Sequence, residues 1–89
     1  MNLFELYETF KEEKKQVPIG SIWENPANPF VYGHLHIVDH TIIDGVISGS
    51  PVLCVQYDIH PLAPGLPIRT GFRAVAKTLI DSEWRMITP

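Results

Sequence analysis

The sequence is short of three things, and each shortage excludes something. There is a single cysteine, Cys54, so no intrachain disulfide can form and the fold must stand on packing or on a partner. That suits a reducing compartment. There is no apolar run of membrane-spanning length. The opening stretch, MNLFELYETFKEEKK, mixes acids, lysines and apolar residues and lacks the basic start and apolar core of a secretion signal. A cytoplasmic protein is expected. Third, no Lys or Arg falls between Lys15 and Arg69, an interval that contains Glu24, Asp39, Asp44 and Asp58. A nucleic-acid surface needs fixed positive charge to displace counterions from phosphates. Only the ends could supply it, through Lys11, Lys14, Lys15, Arg69, Arg73, Lys77 and Arg85, so at most weak nucleic-acid binding is expected.

What is present fits one small domain, residues 1–89, with 45% apolar residues and a net charge of −3. Leu3, Leu6, Tyr7 and Phe10 make one apolar stripe at helical spacing. Asn2 and Glu5 stand as in a capping box, and Pro18 ends the segment, so a helix over residues 1–17 is expected. Residues 18–89 then read as short strands. IGSIWEN is one, and the prolines of NPANP make a turn. FVYGHLHIV and VLCVQYDI alternate. Leu35 and Ile37 share one face with Val31, and Phe30, Tyr32, His34, His36 and Val38 lie on the other. Leu53, Val55, Tyr57 and Ile59 form an apolar face of the second strand. HPLAPGLP is a proline-punctuated loop with two exposed leucines, Leu62 and Leu66. IRTGF forms a further strand, RAVAKTLIDSE has helical spacing, and WRMIT closes the chain as a strand.

Asp44-Gly45 is a hairpin signal. A tight turn there sets odd-numbered residues against even ones, yet both apolar faces are odd-numbered. One extra residue repairs the parity, and Gly49 is the expected bulge. Leu35 then meets Val55, Ile37 meets Leu53, His36 meets Cys54, His34 meets Gln56, and Tyr32 meets Asp58.

The expected fold is α+β: an N-terminal helix, then a small five-stranded antiparallel SH3-like barrel or a twisted sheet, with a short helical turn before the last strand. Gly20-Ser21-Ile22-Trp23, Val55-Gln56-Tyr57 and Trp84-Arg85-Met86-Ile87, over residues 18–88, resemble small SH3-like proteins of bacteriophages and prophages. The resemblance implies an accessory, non-catalytic protein that acts on a host protein. The chain departs from that pattern in lacking basic residues at its centre.

GHLHIVDH holds three of the four histidines. His34 and His36, two apart on one strand face, could converge on an ion. With Cys54 beside His36, and Asp58 or His40 near, they would form an open zinc set. No C-x-x-C or H-E-x-x-H supports it, and no metal or cofactor is expected. Cys54, in a strand interior, is not placed as a nucleophile. The glycines of Gly45-Val46-Ile47-Ser48-Gly49 come without a phosphate-binding lysine. No catalytic residue, and no enzyme, is expected. The face of Phe30, Tyr32, His34 and His36 is aromatic and free of Lys and Arg, as interface cores are. With Leu62 and Leu66 it is the expected partner-binding surface of a monomer or homodimer, unless the helix stripe covers it. The leading expectation is a protein-binding domain, in its most concrete form a phage or mobile-element product that inhibits or redirects a host assembly. The rivals are a metal-binding module or metal-dependent enzyme using His34 and His36, and a weak nucleic-acid binder.

Overall fold

The computed structural model describes residues 3–27, 33–44 and 49–88, and within the first helix the side chains of residue 8 and of residues 10 onward. Helix α1 covers Leu3–Gln16 and ends just before Val17-Pro18. Lys14 and Lys15 occupy its last turn, where cations suit the helix dipole. Four strands and a one-turn helix follow in the described chain before a last strand: β1 Ile22–Glu24, β2 His34–Ile43, β3 Val52–His60, β4 Arg69–Val75, α2 Ala76–Ile80 and β5 Arg85–Thr88. The strands form one antiparallel sheet in the order β4-β3-β2-β1-β5. β1 to β4 thus make a meander, and β5 returns to pair with β1.

The sheet is α+β in class and open. Its edge strands, β4 and β5, lie on opposite sides and do not pair, so of the two expected forms the open antiparallel sheet is found and the closed barrel is not. The helices and Trp84 fill one face. Phe10 of α1, Val17, Ala76 and Leu79 of α2 join Trp23, Leu35, Ile37, Leu53 and Val55 in the core, with Ile42, Tyr57, Ile59, Ala74, Ile80 and Trp84 packed against it. Ile37, Leu53 and Val55 are almost wholly buried, each contributing about 1.5–3 kcal/mol through burial.

The helical spacing in RAVAKTLIDSE is realised over only five residues, because Arg73–Val75 pair with Cys54–Gln56 as part of β4. Ser82 stops α2: its Oγ donates to Leu79 O at 2.6 Å and accepts from the Trp84 N–H at 3.1 Å. The short β1 is anchored by Ser21, which is fully buried. Its hydroxyl donates to Pro18 O at 2.6 Å and accepts from Trp23 Nε1 at 3.0 Å, so the core tryptophan's one polar atom is satisfied.

The β2–β3 register corrects the expected one. Near the open end of the hairpin His34 pairs with His60, Leu35 with Ile59, His36 with Asp58 and Ile37 with Tyr57. Nearer the turn Asp39 pairs with Gln56, His40 with Val55, Thr41 with Cys54 and Ile42 with Leu53. The parity does change by one residue, but at Val38 within β2, not at Gly49. The physical reason is that odd positions face the core before the bulge (Leu35, Ile37) and even ones after it (His40, Ile42), which keeps an apolar set opposite the continuous odd face of β3. Gly45, the second residue of the expected tight turn, lies outside the described residues. The described pairing runs on to Ile43 with Val52.

Candidate functional site

Pairing partners in a sheet share a face. The register therefore puts His34, His36, Asp58 and His60 together on the side of the sheet opposite the core, at the end of β2 and β3 away from the hairpin. All four are half-buried. The His36 and His60 rings stack, with centroids 3.6 Å apart and planes inclined by 18°. His34 stands directly across from His60, and Asp58 across from His36.

Gly33 makes this approach feasible. It is buried, adopts φ +74°, and lies so close to β3 that a Cβ there would collide with the His60 carbonyl oxygen and sit 3.0 Å from Pro61 Cα. Only glycine takes both the left-handed conformation and the contact without strain.

His36 is held below the ordinary imidazole range. Burial is the largest cause, the neighbouring His60 and His34 add to it, and Asp58 opposes them. The neutral ring is thus favoured in the cluster. Beside it, Val38, Gln56, Tyr57, Asp58, Gly71, Phe72 and Arg73 line a shallow depression of about 150 Å³. On β4, Arg69 lies over the Phe72 ring at 5.6 Å, and Phe72 stacks on Tyr57 at 5.5 Å. Arg85 is engaged by Glu24, Nη2 to Oε1 at 2.7 Å.

The expected partner-binding residues fare unevenly. His34 and His36 are brought together. Leu62 and Leu66 are exposed in the loop that leaves His60, at the same end of the sheet. Phe30 and Tyr32 lie outside the described residues. The helix does not take this face through its described core residue: Phe10 packs with Leu35 and Ile37 on the other side.

The zinc set is corrected. Cys54 pairs with Thr41 and Val75, not with His36, and is a buried free thiol well along β3 from the histidines. His40 is also elsewhere. The bulge turns it to the core side, where its Nε2–H donates to Val17 O at 2.6 Å and ties the end of α1 to the sheet. Coordinate bonds lie in the plane of an imidazole, and two nearly parallel rings one above the other do not aim at a common ion. Among the described residues no three His, Cys, Asp or Glu side chains are arranged to hold a metal ion.

The residue that sequence reasoning missed is His60, assigned to the loop because proline follows it. The signal was present: Cys54, Gln56, Asp58 and His60 continue one alternating face.

Searched against family models, curated proteins and solved structures, the chain matches none. The site therefore has to be read from its own chemistry. Among the described residues no helix is long and apolar enough to cross a membrane.

Proposed function

We propose that this chain is a small non-catalytic protein-binding domain whose working surface is the histidine end of the outer sheet face together with the loop at residues 61–68. One observation carries the reading. The described helices contribute their buried side chains to the other face, while His34, His36, Asp58 and His60 remain half-buried beside exposed Leu62, Leu66 and Ile68, the last two 60% and 54% exposed. Apolar groups clustered at a polar but nearly lysine-free face are what an interface centre offers. The complementary surface is apolar with hydrogen-bonding groups, since neutral imidazoles both donate and accept. In its most concrete form, which rests on the resemblance to phage SH3-like proteins, the partner is a host assembly that the chain inhibits or redirects.

The test is capture from a bacterial lysate with mass spectrometry of the retained protein, followed by affinity measurements with that protein purified. Substituting Leu66→Ser or His34→Ala should weaken binding at least about tenfold, as hot-spot positions of roughly 2 kcal/mol do. Equal affinity for both variants and the wild type would move the binding surface elsewhere and refute the proposal.

A further inference from the structure

We infer that the His36–His60 stack is a proton-operated latch: neutral, it holds the open ends of β2 and β3 together; protonated, it releases them. The inference rests on the geometry of the cluster, independently of whether the face binds a protein.

Two rings at 3.6 Å are in contact, and a third imidazole, His34, lies directly across from one of them. Neutral imidazoles at this distance attract through dispersion and stacking. Once two of the three carry protons, like charges oppose each other within a half-buried site, where screening is incomplete. The surroundings offer little relief. From β3 the cluster is faced by Asp58, which favours protonation of His36. From β1 it is faced by Ile22, which pairs with His36 and carries no charge, and Glu24 is already bonded to Arg85. From β4, Arg73 pairs with Gln56 and lines the same depression as Asp58, so its charge offsets the carboxylate's; Arg69 pairs with Ile59 and lies over Phe72. One carboxylate thus stands against three imidazoles and a guanidinium. The lowered proton affinity of His36, caused first by burial and then by His60 and His34, has the sign this arrangement requires.

The location makes the event local. The stack sits at the terminus of the β2–β3 ladder, where strand ends open most readily. Beyond the bulge at Val38, the ladder is held by buried Leu53 and Val55 and by the His40–Val17 bond.

The experiment is backbone hydrogen exchange at pH 7.5 and 5.5, corrected for the intrinsic pH dependence of exchange, on wild type and on His60→Phe and His36→Phe. Phenylalanine keeps an aromatic ring to stack but cannot titrate. The expected result is a loss of protection at residues 34–37 and 57–60 of the wild type on acidification, with a clearly smaller loss at residues 40–43 and 52–55. Both phenylalanine variants should lose less protection than the wild type on acidification, since each retains only two of the three imidazoles. The latch is overturned if protection at those strand ends is the same at the two pH values, if it is lost equally across the whole sheet, or if the variants lose it as the wild type does. Should one variant fail to fold, the other and the wild-type pattern still decide.

Discussion

Gly33 offers a sharp test of how the histidine end is built. Substituting Gly33→Ala imposes two costs. The first is conformational: an alanine at φ +74° occupies the left-handed region, at about 1–2 kcal/mol. The second is steric, because the new Cβ overlaps the His60 carbonyl oxygen and lies 3.0 Å from both the His60 carbonyl carbon and Pro61 Cα. These are backbone atoms of a paired strand and cannot swing aside as a flexible side chain could. Forced overlap of this kind in a packed site costs about 1–3 kcal/mol. Gly65 provides the control. Its φ of +85° is equally unfavourable to alanine, but a Cβ there meets nothing within 4 Å. Gly65→Ala should therefore cost about 1–2 kcal/mol and Gly33→Ala about 2–5 kcal/mol. The smaller entropy of the unfolded chain affects both variants alike and cancels in the comparison. For a domain of this size the Gly33 variant should melt at least about 8 °C below the wild type. Thermal and denaturant unfolding of the three proteins measures this. The histidine ring signals should also move in Gly33→Ala, since displacing the His60 backbone disturbs the stack, and stay in place in Gly65→Ala. If the two variants are equally stable, the close approach of Gly33 to β3 does not exist and the account of the cluster fails with it.

Further outcomes are expected. His40→Ala should cost about 1–3 kcal/mol in denaturant unfolding, because it leaves the Val17 carbonyl without its donor where α1 meets the sheet; a loss within error would show that solvent replaces the imidazole. Global stability should fall on acidification, because the folded value of His36 lies below the 6.5 of a free imidazole. The unfolded chain then binds more protons, so this contribution is intact above about pH 6.5 and is lost as the pH falls through the lowered folded value; a His36→Phe variant with the same pH profile as the wild type would contradict it. A chelator should leave the melting temperature unchanged, and elemental analysis should find no stoichiometric zinc; one zinc per chain, lost on His36→Ala, would promote the metal reading.

Much of the architecture was written in local patterns. The apolar spacing around Phe10 and the stop at Pro18 specify α1, and the alternation in VLCVQYDI specifies β3 with Leu53 and Val55 inward. Parity alone required one extra residue between the two long strands. These features are legible because a helix or strand repeats with a fixed period, so a residue's neighbours along the chain determine which side it takes. The site was legible only in part. His34 and His36 were placed on one face, but their company was misjudged.

The sequence by itself determined the class of fold, the order of its elements, the absence of a disulfide within these 89 residues and the lack of fixed positive charge along β2 and β3. Tertiary structure alone decided where the extra residue went. A bulge can sit at a loop glycine or inside a strand, and the choice depends on which register buries the most apolar surface across the sheet. The bulge at Val38 sent His40 inward to Val17, while the displacement of the whole pairing from the expected register moved Cys54 away from His36 and brought His36 against His60. Those partners come from the other strand and from the end of α1, and no periodicity within β2 encodes the residues that will face it.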